Sequence, residues 1–521
     1  MTRLLLAITV LVVAGATASA AHAAEGTACE KLPQLKVADT RITKTEMIRP
    51  APQWQVPDSV FTRLAGPVKI TANVPFCRVS AVIEKEINVE VWLPQDWNQR
   101  FQGVGNGGLS GALNHPAMAA AVNAGFATAS TDTGHVTERD VFQSDWIEGH
   151  PQRVTDFAYR AHHLMAERAK DIIAAFYGKR ATRNYYSGCS SGGWEGLTEA
   201  QKYPADYDGI VAGAPAINYL GAMTRGMVLA QAAAREPAGN LDGAASQLLV
   251  QAAVAKCDAL DGLEDNLVSD PLNCKFDPAV LECKAGQAQG CLSAAQVRRA
   301  KLTYGPLKSA GGLKLYPGPT WGTAAFLALP PPTAAAGSAP ALAPADDPLT
   351  SMTKALTGKA PAWRPATFDP DKDTAQLLRD LGPTLNSLDP NLKAFKDRGG
   401  KLILYHGGAD PGLSPYNTLD YVAGVEGKLG KSAADTFVRT YLAPGMGHCG
   451  GGSGPSVFDT MTPLVTWVER GEMPKEIIAA QPGPGGKVVR SRPLCPYPQV
   501  ARYKGSGAAV EEAASFECRA P

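Results

Sequence analysis

Hydrophobic and polar positions along this chain change rhythm several times, and each change predicts an element. Over 60–93 they alternate in short runs, Val68-Lys69-Ile70 and Ile87-Asn88-Val89-Glu90-Val91-Trp92-Leu93, the pattern of antiparallel strands that open a mixed sheet. Phe101-Gln102-Gly103-Val104 runs into the glycine-rich turn Gly105-Asn106-Gly107-Gly108, and 125–135 reads as another strand and turn. Over 154–177 the apolar residues Phe157, Ala161, Leu164, Met165, Ala169, Ile172, Ile173 and Phe176 take helical spacing. A β-prone run at Tyr185-Tyr186 then breaks into small residues, a helix is predicted over 194–203 and stopped by Pro204, and Ile210-Val211-Ala212-Gly213-Ala214 reads as a buried parallel strand. Strand and helix therefore alternate, which predicts the α/β class.

From about 218 the rhythm is lost. Helical stretches, four clustered cysteines and the Pro- and Ala-rich stretch 329–345 predict an insertion rather than more sheet. The sheet resumes with Lys401-Leu402-Ile403-Leu404-Tyr405-His406 and closes with Phe437-Val438-Arg439-Thr440-Tyr441-Leu442. The expected division is a leader over 1–23, a core in two parts over 24–217 and 389–521, and an inserted domain over 218–388.

Residues 1–23 carry Arg3, an apolar core from Leu4 to Ala14 and the small-residue end Ala21-His22-Ala23, which fits a secretory signal. A secreted or periplasmic protein is expected. Removing Arg3 leaves positive and negative side chains in balance, so no basic excess draws the chain to nucleic acid or an anionic membrane. An even count of ten cysteines in an exported chain, with no CxxC pair, reads as disulfides rather than zinc ligands. Closeness in sequence suggests Cys283 with Cys291 and Cys257 with Cys274, and Cys495 with Cys518 suits a C-terminal loop.

The candidate chemistry starts at Gly188-Cys189-Ser190-Ser191-Gly192. In a G-x-S-x-G turn between strand and helix, Cβ atoms on either side have no room, and the serine hydroxyl is lifted clear of the sheet. A glycine-rich turn without chemistry is the plain alternative. Against it, Asp410 and His448 both stand just past predicted strands, and the order Ser190, Asp410, His448 is that of the α/β-hydrolases. Ser191 at the helix start and Gly107 or Gly108 are candidate oxyanion N–H donors. A phosphate cradle at these glycines is disfavoured, because no GK[ST] follows. Asp132 and His135 read as turn residues that cap their own backbone. In the insertion, Asp258, Asp261 and Asp265 with the carbonyls of Leu263 and Leu267 suit a hard cation, although a solvated acidic turn has the same composition.

These residues together resemble the tannase and feruloyl esterase family of α/β-hydrolases, which also includes mono(2-hydroxyethyl) terephthalate hydrolase. The most specific signs are Cys189-Ser190 and His448-Cys449, with Gly408-Ala409-Asp410-Pro411 between them. The resemblance implies an α/β-hydrolase fold with a large inserted lid. It also implies a disulfide from Cys189 to Cys449 tying nucleophile to base, and the further pairs Cys29 with Cys77, Cys257 with Cys274, Cys283 with Cys291 and Cys495 with Cys518. A structural Ca²⁺ in the lid, at Asp258, Asp261, Leu263, Asp265 and Leu267, is implied in the same way. The function it implies is a secreted serine esterase acting on esters of aromatic acids, of feruloyl, galloyl or terephthalate type. Such a substrate is free, on plant polysaccharide or on a polyester fragment. Trp321, Phe326 and Trp363 are candidates to stack on the acyl ring, or else lid core. A non-catalytic aromatic- or glycan-binding protein on the same scaffold is the alternative.

Overall fold

The computed structural model describes residues 27–49, 54–64, 70–109, 111–139, 141–323, 348–359, 361, 363–364, 366–505 and 509–521. Nine strands form one mixed sheet: β1 (Thr40–Ile48), β2 (Phe76–Ile83), β3 (Ile87–Pro94), β4 (Arg100–Val104), β5 (Ala127–Thr131), β6 (Arg183–Cys189), β7 (Gly209–Gly213), β8 (Lys401–Gly407) and β9 (Val438–Ala443). Their spatial order is β1-β2-β3-β5-β4-β6-β7-β8-β9. β1 to β3 are antiparallel, the pattern over 60–93 having predicted antiparallel strands only for β2 and β3, and β3 joins β5 antiparallel. From β5 to β9 every pairing is parallel.

Parallel strands covered on both faces lose the alternation and become uniformly apolar. β7, Gly-Ile-Val-Ala-Gly, is buried at every position. On one face lie α1 (Ala161–Tyr177), α2 (Ser191–Lys202) and α3 (Pro415–Leu429), which press Met165, Ile172, Ile173, Leu197, Val422 and Val425 onto strand residues such as Ile210, Leu402 and Leu404. On the other, Leu464 and Trp467 of α4 (Met461–Arg470) pack on Tyr185, Val211, Ile403 and Tyr441. Each fully buried aliphatic side chain here contributes roughly 1.5–3 kcal/mol, so both faces hold the central strands in place.

Two features depart from the sequence pattern. Val60–Leu64 is a short helix rather than part of a strand, and residues 68 and 69 lie outside the described residues. β1 carries little apolar signal, because only its Ile42 and Ile48 are buried and Met47 is partly buried against the core; it is an edge strand, and its remaining side chains are polar. A disulfide between Cys29 and Cys77 of β2 fastens the chain segment before β1 to this end of the sheet, where both sulfurs are buried with Leu32, Ile42 and Val79.

Between β7 and β8 the described residues add helices, including Tyr219–Arg235, Gly243–Cys257 and Ala294–Tyr304, and one two-stranded ribbon, but no strand of the main sheet. Leu349, Met352, Phe368, Leu377 and Leu385 of this segment pack with Trp146, Phe157 and Trp194 of the flanking core. After α4, two ribbons follow, and Cys495–Cys518 links them. Among the described residues no helix is long and apolar enough to cross a membrane.

Candidate active site

β6 passes into α2 through Ser190, whose φ of 64° and ψ of −122° lie outside the ordinary regions for a non-glycine residue. Such a conformation stores strain that the surroundings must hold. They do so by close packing. A Cβ on Gly188 would lie 2.5 Å from the Gly192 backbone, and one on Gly192 would lie 2.8 Å from the Asn106 carbonyl. Ser190 N–H donates to the Gly213 carbonyl at 2.9 Å, fixing the turn to β7.

Asp410 follows the C-terminal end of β8 and His448 follows that of β9, so parallel strands bring both to the edge where Ser190 stands. His448 Nε2 is 2.9 Å from Ser190 Oγ, and His448 Nδ1 is 2.7 Å from Asp410 Oδ2. A carboxylate facing Nδ1 places the proton there and leaves Nε2 free to accept from the serine hydroxyl. The imidazole remains 31% exposed whereas Asp410 is fully buried. Burial alone raises the Asp410 carboxyl, but hydrogen bonds from His406 and His448 outweigh it and hold the group well below the usual carboxylate range. Backbone N–H groups of Gly412 and Leu413 also donate to its Oδ1, each at 2.9 Å.

Ser191 is the first residue of α2, where an N–H has no intrahelical acceptor. Its Oγ donates to the Gly108 carbonyl at 2.7 Å, joining the helix start to the Gly107-Gly108 loop. Gly108 has φ +64°, and a Cβ there would meet the Val141 carbonyl at 2.4 Å. Asp132 and His135 are buried in structural bonds: Asp132 Oδ1 accepts from Asn88 and Gly134 N–H, and His135 bonds the Leu109 carbonyl and stacks on Trp146.

All ten cysteines are paired, and the five bridges are those the family resemblance implied: Cys29 with Cys77, Cys189 with Cys449, Cys257 with Cys274, Cys283 with Cys291 and Cys495 with Cys518. Of these, only Cys189–Cys449 adjoins the site. Cys29 and Cys77 serve the far end of the sheet and have no part in the chemistry. In the acidic loop, Asp258 accepts from the N–H groups of Asn266 and Leu267, Asp261 from that of Leu263, and Asp265 from that of Leu267. Asp261 Oδ2 and Ser269 Oγ are buried beside one another, and burial raises the Asp261 carboxyl while the Ser269 hydroxyl and the Leu263 N–H work against that rise.

Trp321 is stacked on Tyr304 and edge-on to Phe276, and Trp363 is 5% exposed within an apolar cluster. Both rings make packing contacts within the inserted segment, and Trp321 is only partly buried. Phe326, the stretch 329–345 and the leader 1–23 lie outside the described residues. Sequence reasoning missed three side chains here. His406 Nε2 lies 3.3 Å from Asp410 Oδ2, Arg492 pairs with Asp265 at 2.5 Å, and Glu195 accepts from Asn106 N–H. Only His406, a polar residue in an apolar strand run, left a signal.

The profile described as "Tannase and feruloyl esterase" matches residues 69–519. The chain belongs to the tannase and feruloyl esterase family. It is a carboxylic ester hydrolase. Among the family's members, the mono(2-hydroxyethyl) terephthalate hydrolase of Piscinibacter sakaiensis is 35% identical, with 85% of each chain covered. A probable feruloyl esterase B-2 of Aspergillus terreus is 32% identical, covering 87% of this chain and 88% of that one. The crystal structure of feruloyl esterase B from Aspergillus oryzae superposes with a TM-score of 0.81 at 27% identity, covering 94% of this chain and 99% of that one.

Proposed function

We propose that this protein is an exported serine esterase that hydrolyses esters of aromatic carboxylic acids through Ser190, His448 and Asp410. The observation that carries the reading is the unbroken hydrogen-bonded chain from Ser190 Oγ through His448 to buried Asp410, in a family whose members are named for feruloyl and terephthalate esters. Ser190 Oγ attacks the ester carbonyl carbon while His448 Nε2 takes its proton; that proton then leaves with the alcohol as the tetrahedral species collapses to an acyl-enzyme. Water, deprotonated by the same nitrogen, attacks the acyl carbon, and the proton passes to Ser190 Oγ as the acyl–oxygen bond breaks and the acid is released. Asp410 keeps the imidazole in one tautomer and stabilises its cation. The N–H of Ser191 and one from Gly107 or Gly108 receive the oxyanion, each such donor worth about 3 kcal/mol.

The segment 218–388 acts as a lid over this edge of the sheet, and its acidic loop takes Ca²⁺. The carboxylates of Asp258, Asp261 and Asp265, with Asp261 Oδ2 buried, and the carbonyls of Leu263 and Leu267 fit a hard cation that prefers oxygen ligands. Bound calcium offsets two of the three carboxylate charges, Arg492 on Asp265 offsets the third, and the loop stiffens. It takes no part in bond making, since Ser190, His448 and Asp410 belong to the sheet.

Methyl ferulate, methyl gallate and a terephthalate monoester, compared with short aliphatic esters, test the reading. Turnover of at least one aromatic ester is expected, with a burst of one equivalent of chromophore from a p-nitrophenyl ester and loss of both in Ser190→Ala. Turnover of aliphatic esters alone would refute the aromatic assignment, and ligand binding without any burst would make the chain a binding protein.

A further inference from the structure

The carboxylate of Glu195 stands between the helix that carries Ser190 and the loop that carries Gly107 and Gly108. Its side chain is 1% exposed, one turn along α2 from Ser191. Glu195 Oε2 accepts from Asn106 N–H at 2.9 Å and from Tyr186 Oη at 3.0 Å, and His162 Nε2 lies 2.9 Å from the same oxygen. The space around it is closed. A Cβ on Gly105 would lie 2.9 Å from that oxygen, 2.6 Å from Gly192 Cα and 2.3 Å from Tyr186 Oη.

A carboxylate is costly to bury, and one placed here is retained only if its bonds are needed. Asn106 directly precedes the two candidate oxyanion glycines. Its N–H is held by Glu195, and its carbonyl accepts from Gly192 N–H at 3.0 Å. At the far end of the loop the Gly108 carbonyl accepts from Ser191 Oγ at 2.7 Å. All three ties run from the loop to the same helix, α2, whose first N–H is that of Ser191. Two of them are neutral, and the third is to a carboxylate, the stronger kind.

We infer that Glu195 is a positioning residue that fixes the distance between the two oxyanion donors by holding the Asn106 peptide against the nucleophile-bearing helix. This rests on the serine-esterase reading above. The donors serve the transition state only where they meet the oxyanion, so a small displacement costs turnover and leaves ground-state binding in place.

The test compares wild type with Glu195→Gln, which keeps an acceptor without charge, and Glu195→Met, which keeps the length without an acceptor. Ile173→Val, about three turns along α1 from His162, reports a purely structural loss. Readouts are kcat, KM and the affinities for an arylboronic acid and for the corresponding carboxylic acid product. The boronic acid forms a bond from boron to Ser190 Oγ and sets a tetrahedral oxygen where the oxyanion develops.

We expect kcat to fall at least tenfold in Glu195→Met and by about threefold or more in Glu195→Gln, because removing a donor outright costs roughly 10²–10³. KM should stay within twofold. Boronate affinity should fall by the same factor as kcat, while product affinity and Ile173→Val kinetics stay at wild-type values. If Glu195→Met does not fold, Glu195→Gln alone must show the parallel losses. Unchanged kcat in folded variants, or boronate and product weakened equally, would overturn the inference. A wild type that turns over no ester and takes no boronate would instead refute the serine-esterase reading itself.

Discussion

Cys189 and Cys449, 260 residues apart, are bonded with their Cα atoms 6.0 Å apart, and each is the chain neighbour of one partner in the Ser190–His448 hydrogen bond. Cys449 holds φ +61°, an uncommon conformation for a non-glycine residue, so the loop after β9 is constrained beside the histidine. The crosslink closes a long loop, for which chain entropy assigns roughly 5 kcal/mol.

Replacing both cysteines with alanine should therefore leave a folded protein, held by its core and four other bridges, whose turnover falls far more than its substrate affinity. Cys29→Ala with Cys77→Ala is the control, since that bridge lies away from the site and its loss should lower stability with kcat unchanged. Peptide mapping without reduction, followed by kcat and KM on both double variants, measures this. An unchanged kcat on losing Cys189–Cys449, or Cys189 found as a free thiol, would remove that bridge from any role in aligning the site.

Asp410 is shared between two histidines, His448 at 2.7 Å and His406 at 3.3 Å. Its depressed carboxyl stays ionised wherever the protein is folded. Its contribution to stability is present above the ordinary carboxylate range and is lost as pH falls toward its folded value. The acid limb of log kcat/KM should then carry no contribution from Asp410. His406→Phe withdraws one donor from Asp410, so the carboxylate holds the His448 proton more tightly and the limb should move to higher pH. The same change leaves Thr418 Oγ1 and the Leu413 carbonyl without their ring partners, at a cost of about 1–3 kcal/mol in stability. A pH–rate profile on both proteins checks it; an unmoved limb with lower stability would reduce His406 to packing.

Ser191→Ala keeps the backbone N–H and deletes the hydroxyl that holds the Gly108 carbonyl. Loss of one neutral hydrogen bond, about 1 kcal/mol, predicts a kcat lowered roughly fivefold with KM nearly unchanged. Steady-state kinetics at saturating ester decide the matter, and a rise in KM at constant kcat would contradict it.

Calcium removal should lower the melting temperature by a few degrees, since a ligand present at about 100 times its Kd stabilises by about 2.7 kcal/mol. Turnover measured well below that temperature should hardly change. Asp261→Asn should abolish the response. Superimposable melting curves with and without chelator, once metal analysis shows the ion gone, would eliminate the site.

The sequence by itself determined the elements whose causes are local. Glycines at 188 and 192 leave little room for any other backbone path around Ser190, and the period of 2 gives β3, the period of 3.6 gives α1 and a continuous apolar run gives β8, each nearly whole. Asp410 and His448 were legible because parallel strands deliver whatever follows their C-terminal ends to one edge. The ten cysteines were legible as bridges, but spacing suggested partners only for those close in the chain. For Cys29 with Cys77, 48 residues apart, and Cys189 with Cys449, the family resemblance alone implied the pairing. Tertiary structure decided whatever depends on groups far apart in the chain. Arg492 reaches Asp265 across 227 residues and Glu195 reaches Asn106 across 89, and neither pairing leaves a period or motif. The same holds for Trp363, whose burial follows from the cluster it meets, and for Val60–Leu64, a short run with too few turns to carry a pattern. Local sterics can be read from neighbours in sequence, whereas a buried charge is assigned its partner only when the chain has folded and water has been removed from around it.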